Sequence, residues 1–304
     1  MNTENLLIEL GTEELPPKAL KKLALGFKSG IESQLETAGL SYNSIEWFAA
    51  PRRLAVRINE LQPTQQDKQV EKRGPAVKAA FDQDGNATKA ALGWARGCGI
   101  SVDEATRHKT DKGEWLMHVA TVAGKSLEQL VEGFISQAIK QLPIPKPMRW
   151  GSGREEFIRP VHTLIALYGE KVLPAKVLGL TSSNQSQGHR FHHRGLVTVN
   201  SANSYEQDLL NANVVVDYNK RKEQIVEQMN VICSELTAKT TEDNDLLDEV
   251  TSLVEWPVAL VGTFEERFLD VPPEALIYTM KDDQKYFPLL DQQDNLLPKF
   301  IFIS

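Results

Sequence analysis

From Gln187 to Gly195 the chain reads Gln-Gly-His-Arg-Phe-His-His-Arg-Gly. This stretch gathers three of its six histidines, His189, His192 and His193, with Arg190, Arg194 and Phe191, and holds no carboxylate. Three chemistries suit such a set. Imidazoles can ligate a metal, Arg forks and aromatic rings can hold the phosphates and unpaired bases of RNA, or the whole can be a polar turn held by local hydrogen bonds. Against the metal, His189 and His193 have the i, i+4 spacing of a zincin helix, but Arg190 stands where that motif needs Glu. Gly188 and Gly195 bracket the stretch, which predicts a loop or strand edge rather than a helix.

Other arginines are candidates for phosphate contact. Arg52 and Arg53 follow Pro51, which fixes a bend that can present them. Arg149 and Arg154 flank Trp150 in a Gly-containing loop, Met148 to Arg154, with Arg159 just beyond. These sets also have plainer readings, as surface charge or as an Arg network holding Glu155 and Glu156. Two apparent catalytic motifs fail on spacing. Ser152 lacks the glycine two residues before it that a nucleophile elbow requires. Gly124-Lys125-Ser126 lacks the first glycine of a P-loop, since Val119 stands there, so it reads as a turn with Ser126 and Gln129 capping the next helix. No set of His, carboxylate and nucleophile appears at recognisable spacing, and no catalytic residue or metal ligand is assigned.

The elements that must position these residues follow from hydrophobic periodicity. Leu6 to Leu10 predicts a strand, and Leu20, Leu23, Phe27, Ile31, Leu35 and Ala38 predict an amphipathic helix that starts at two prolines and stops at Gly39. Strands are expected at Ile45 to Phe48 and Leu54 to Leu61. A polar, Gly/Pro-punctuated stretch from Gln62 to Ala87 carries Lys68, Lys72, Arg73 and Lys78 and suggests an inserted or flexible subdomain. Beyond it come a helix Thr88 to Gly97 with Trp94 buried, a strand Trp115 to Val122 and a helix Leu127 to Leu142, which Pro143, Pro145 and Pro147 end. Strands follow at Val161 to Tyr168, Val172 to Leu180, Leu196 to Val199 and Val214 to Val216. Helices are expected from a capped Ser204, from Asn219, over Leu246 to Val254 and over Pro273 to Lys281, with strands at Val258 to Val261, Phe287 to Leu290 and Phe300 to Ile303. Without a clean βαβ series the pattern is α+β, multi-domain, with mixed or antiparallel sheets.

The bulk numbers fit that class. With 304 residues, 41% hydrophobic and 25% charged, the chain is long enough for two domains and has no apolar run able to span a bilayer. Two distant cysteines, Cys98 and Cys233, and a start without a basic, apolar leader predict a cytoplasmic protein with free thiols. The net charge of -7 conceals an asymmetry: residues 205–304 hold 8 Lys and Arg against 20 Asp and Glu, whereas the part before them is mildly basic. That permits an RNA surface in the first two thirds.

Six strings, taken together, resemble the β subunit of bacterial heterotetrameric glycyl-tRNA synthetase. They are Leu6 to Pro17 (Leu-Leu-Ile-Glu-Leu-Gly-Thr-Glu-Glu-Leu-Pro-Pro), Ala50 to Val56 (Ala-Pro-Arg-Arg-Leu-Ala-Val), Met148 to Gly151 (Met-Arg-Trp-Gly), Gly188 to Phe191 (Gly-His-Arg-Phe), Leu253 to Pro257 (Leu-Val-Glu-Trp-Pro) and Gln284 to Phe287 (Gln-Lys-Tyr-Phe). They occur in the family's order and span the chain. The resemblance implies roughly the N-terminal half of a longer subunit, without its later HD-like, body-tail and anticodon-binding regions, and the chain's stop at Phe300 to Ser304 reads as a truncation. It also implies an α-subunit partner in an α2β2 tetramer, with the class II active site, its ATP and its Mg there, and glycine tRNA as substrate.

The acidic half is similar to the B3/B4-type domain of the phenylalanyl-tRNA synthetase β subunit. The expected division is an N-terminal α+β region at 1–187, with a basic subdomain inserted at about 63–147, and a B3/B4-like domain at 188–304. The function expected of the chain is tRNA binding and subunit assembly through Arg52, Arg53, Arg149, Arg154, His189, Arg190 and Arg194, within a ligase but with no activity of its own. Two alternatives are hydrolytic editing of mischarged tRNA and a purely structural docking module.

Overall fold

The computed structural model describes residues 3–111 and 113–304. The chain divides into two compact units, one of residues 1–63 with 127–304 and the other of residues 64–126.

The larger unit is built on a five-stranded sheet. Its strands are β1 (Glu4–Thr12), β2 (Ser44–Ala50), β3 (Arg53–Leu61), β4 (Val161–Tyr168) and β5 (Lys171–Val172), in the order β5-β4-β1-β3-β2 and antiparallel throughout. Strand period two divides β1 cleanly. Leu6, Ile8 and Leu10 face helices α1 (Pro17–Ala38) and α2 (Leu127–Lys140) in the main core, with Leu20, Phe27, Ile31, Val131 and Ile135. Pro17 sits in the first turn of α1, and Gly39 ends that helix at φ 68, a left-handed cap.

Leu7 belongs to the opposite face with Phe48, Ala55, Ile165 and Leu167. That face is covered by Val197, from the hairpin of β6 (Gln185–Gln187) and β7 (Leu196–Thr198), and by Tyr205 and Leu209 of the short helix α3 (Tyr205–Leu210). The hairpin and its loop therefore lie over the second face of the sheet, on both sides of residue 187.

Beyond α3 come α4 (Tyr218–Glu235), β8 (Lys239–Thr240), α5 (Asn244–Thr251), β9 (Ala259–Thr263), β10 (Phe287–Leu290) and β11 (Leu296–Ile303). The four strands form an antiparallel sheet in the order β8-β10-β11-β9, and Phe287, Leu289 and Ile301 pack on Ile225, Met229, Leu246 and Val250 of the helices. The smaller unit has a three-stranded antiparallel sheet, Thr106–Thr110 and Lys68–Ala76 flanking Gly113–Val122, with a helix Lys89–Cys98 beside it.

Helices and strands with antiparallel sheets give the expected α+β class. Several local expectations are corrected. The single strand foreseen over Val172 to Leu180 is broken into two-residue pieces, because Pro174 cannot donate a ladder hydrogen bond and Leu178 turns at φ 52. Val214 to Val216 is buried chain without a strand partner in the sheets. Ser204 makes no capping bond; its hydroxyl goes to Asp208 Oδ2 at 2.7 Å. Trp94 is half-buried against Gly74. In the polar stretch after Gln62, Lys68–Ala76 is a strand, and Thr106–Thr110 is a further strand that periodicity missed. Five residues of mostly exposed polar side chains leave no alternation to detect.

Candidate functional site

Strand parity decides where the first arginine pair goes. Arg53 opens β3 opposite Gly11, two residues before Ala55, which lies opposite Glu9. Arg53 and Glu9 therefore point to the same face, the one covered by α3 and the β6–β7 hairpin. There the Arg53 guanidinium donates to Ser186 Oγ at 2.9 Å, to the Gln187 carbonyl at 2.7 Å and to Glu255 Oε1 at 3.2 Å, and lies 3.5 Å from Glu9 Oε2. Arg52 donates to Glu255 Oε2 and to the Gly188 carbonyl, both at 2.7 Å, and to Gln187 Oε1 at 3.1 Å. Glu9 accepts from Tyr205 Oη and Ser186 Oγ, each at 2.5 Å.

The two arginines and two glutamates are a charge-balanced quartet sealed inside the protein. Arg53 is 1% exposed and Arg52 7%. The bend after Pro51 thus turns both guanidiniums inward, and the expectation that it presents them to phosphate finds no exposed guanidinium at either residue. They hold the backbone at the root of the histidine loop instead. Burial opposes ionisation of Glu255, but Arg53 and Arg52 outweigh it and hold the carboxyl below its ordinary value. Burial and the Glu9 charge push the Tyr205 phenol well up, so it stays a donor. Nearby, fully buried Arg221 donates to three carbonyls, Ala49, Val215 and Thr251. Burial lowers it to about 10, which leaves it charged at neutral pH.

The loop rises from this base. Gly188 allows a close turn: a Cβ there would sit 2.5 Å from the His193 ring. Gly195 closes the loop at φ +90, which favours glycine. His189 Nδ1 accepts backbone N–H bonds from Phe191 and His192, both at 3.2 Å, which places its ring proton on Nε2. Burial lowers the His189 pKa, and His192, stacked on it at 4.5 Å, and the two buried arginines act in the same direction.

Arg190 pairs with Glu13 at 2.7 Å and Glu14 at 3.1 Å, while His162 also meets Glu13 at 3.0 Å. Partial burial alone would raise Glu13, yet the bonds from His162 and Arg190 keep it below its ordinary value. Phe191 and Arg194 project outward, Phe191 at 82% exposure. Beside them a cavity of about 250 Å³ is lined by Glu14, Arg52, His189, Phe191, Glu255 and Trp256, among others.

Among the described residues, no group of three or more His, Cys, Asp or Glu side chains is placed to hold a metal. A larger cleft, about 740 Å³, lies along α1 and α5, where Lys21 and Asp248 pair at 2.9 Å and Lys285 and Glu249 at 3.2 Å. Its acids and bases largely neutralise one another. No helix among the described residues is long and apolar enough to cross a membrane.

Of the residues foreseen from sequence, His189, Arg190 and Arg194 share the loop, and Arg52 and Arg53 lie beneath it. Arg149 is on a separate exposed hairpin, paired with Glu156 at 2.7 Å, and Arg154 is exposed in the loop that joins the hairpin's two strands. Sequence reading passed over Glu9, Ser186, Tyr205, Glu255 and Arg221. The available signal was a single carboxylate inside the apolar run Leu6 to Leu10, and another beside Trp256 and Pro257.

An α+β protein with a buried ion quartet steadying an exposed basic loop is compatible with many activities, and comparison narrows it. The family model described as glycyl-tRNA synthetase beta subunit matches residues 6–304. The chain is 57% identical over 304 residues to the glycine–tRNA ligase beta subunit of Pseudoalteromonas translucida, and 57% identical to that of Colwellia psychrerythraea. It is 53% identical to that of Glaesserella parasuis. In each comparison all of this chain and 44% of the relative are covered. The chain belongs to the glycyl-tRNA synthetase beta subunit family, and spans less than half the length of the curated relatives it matches.

Proposed function

We propose that this chain is a tRNA-positioning and assembly portion of a glycine–tRNA ligase β subunit, working in the cytoplasm beside an α subunit in an α2β2 tetramer. In this reading glycine, ATP and Mg react at the α subunit, and the acidic C-terminal part is a B3/B4-type domain. One observation carries the positioning role: a loop with Arg194 and an 82% exposed Phe191 at its tip, fixed at its root by buried arginines. A rigid base with an exposed cation and ring suits a sugar-phosphate strand with an unpaired base beside it. Arg190 can exchange its carboxylate partners for a phosphate, because both pairs are partly exposed and such pairs are weak. Arg149 and Arg154 lie on another exposed turn and would add phosphate contacts. The contribution is orientation of the acceptor arm, which lowers the barrier at the α subunit without chemistry here.

The test is binding of a glycine-accepting tRNA transcript across a salt titration. The Arg190→Glu/Arg194→Glu variant should reduce the slope of log affinity against log salt by about 1.4 to 1.8, two phosphate contacts at about 0.7 to 0.9 each. Undiminished binding and an unaltered slope would remove the loop from the tRNA surface.

A further inference from the structure

The unit of residues 64–126 carries a second basic surface, made from a sheet rather than a loop. Register sets Lys68 opposite Val122, Val70 opposite Ala120 and Lys72 opposite His118; across the other edge Arg107 lies opposite Leu116 and Lys109 opposite Glu114. Residues two apart along a strand share a face, so all these side chains belong to one face. Leu116 is buried there against Ala80, Ala91 and Ala95, while Lys68, Lys72, Arg107 and Lys109 remain exposed.

The four cations run diagonally across the sheet from Lys68 on one outer strand to Lys109 on the other. Between them lie eight residue steps of the central strand, Val122 to Glu114, or about 27 Å at roughly 3.4 Å per residue. The strands contribute one carboxylate to this face, Glu114. Among the described residues, none of the four cations makes an ion pair; Arg107 lies over the Phe81 ring, 5.5 Å from its centre. The strands' stacking pair, Arg73 over Trp115 at 3.7 Å, is on the other face.

We propose that this cationic diagonal is a second tRNA contact, one that holds the sugar-phosphate backbone without reading bases. It rests on the tRNA-binding reading of the chain. A line of unpaired charge this long matches a polyanion rather than a small anion, and exposed lysines beside an Arg107 whose guanidinium already lies over the Phe81 ring fit phosphates rather than bases. An acidic peptide is the poorer fit, because protein interfaces rely on large apolar anchors and, among the described strand residues, the large apolar side chains exposed on this face are Val70 and Val122.

The experiment uses the whole chain and a glycine-accepting tRNA transcript. The altered protein is Lys68→Gln/Lys72→Gln/Arg107→Gln/Lys109→Gln; a control of equal charge change is Lys22→Gln/Lys140→Gln/Lys146→Gln/Lys176→Gln. Four lost contacts should lower the salt slope by about three, and weaken binding at least tenfold at moderate salt, while the control moves the slope by less than one. Should the fourfold variant lose its native circular dichroism, the pairs Lys68→Gln/Lys72→Gln and Arg107→Gln/Lys109→Gln each carry half the expected change.

Equal slopes for variant and control overturn the proposal. So does unchanged tRNA binding with loss of poly-glutamate binding, which would mark an acidic protein partner. If the unaltered chain binds no tRNA at low salt, the reading under Proposed function fails as well. If it binds, and only the Arg190/Arg194 variant flattens the slope, the sheet surface alone is refuted.

Discussion

Arg53 and Arg194 are the same residue type in opposite circumstances. Arg53 is 1% exposed and surrounded by Glu9, Ser186, the Gln187 carbonyl and Glu255; Arg194 is exposed at the mouth of a loop. Arg53 comes two residues after Pro51, and Arg194 directly precedes Gly195. The difference comes from what the chain brings over them. Arg53 is on a central strand whose second face receives α3 and the β6–β7 hairpin, and nothing in its neighbours along the chain announces that lid. The inside arginines set the position of the outside ones: by binding the Gln187 and Gly188 carbonyls, Arg53 and Arg52 fix where the loop begins.

Breaking the inner set should cost most. Arg53→Met leaves the Glu9 and Glu255 carboxylates facing a cavity with one guanidinium too few, and uncompensated buried charge destabilises by about 3–5 kcal/mol. Urea unfolding would measure it, and a loss below about 1 kcal/mol would show that the quartet is not a closed unit.

An acid titration sharpens the same contrast. Because the folded-state pKa of Glu255 lies below its ordinary value, its stabilisation is full above the unfolded carboxylate pKa and is lost as pH falls through the folded one. Denaturation midpoints measured from pH 7 down to pH 3 should therefore fall. The fall should be shallower in Glu255→Gln, which starts less stable and has no such carboxyl to protonate. Parallel pH profiles for the two proteins would contradict the assignment.

The smallest effect is expected at the surface. Arg149→Ala removes an exposed ion pair with Glu156, a class of interaction that contributes about 0–1 kcal/mol, so the urea midpoint should hardly move. A large shift would mean that the hairpin of Met148–Arg149 and Glu156–Phe157 is anchored in a way its geometry does not display.

Much of the frame is written in the order of residues. The short apolar run Leu6 to Leu10 gives β1, the helical spacing from Leu20 to Ala38 gives α1, and Pro17 and Gly39 fix that helix's ends, because these signals are local and concern only a few bonds each. The loop is equally legible: Gly188 and Gly195 bound it, and its histidines and arginines are visible as a cluster. The six family strings point to the same family that the comparisons give.

Only the tertiary structure decided which of those residues are available. Glu9 lies 196 residues from Tyr205, and Arg53 lies 202 from Glu255, so no window of sequence shows that they meet. The parity of β1 and β3 places Glu9 and Arg53 on one face, but the burial that turns Arg52 and Arg53 from phosphate donors into an internal clamp arrives with distant segments. The diagonal from Lys68 to Lys109 is likewise invisible along the chain, since it exists only once three strands are aligned in register. Local sequence fixes element type because backbone preferences act within a turn or a few residues. Exposure, pairing and charge geometry depend on segments hundreds of residues apart coming together.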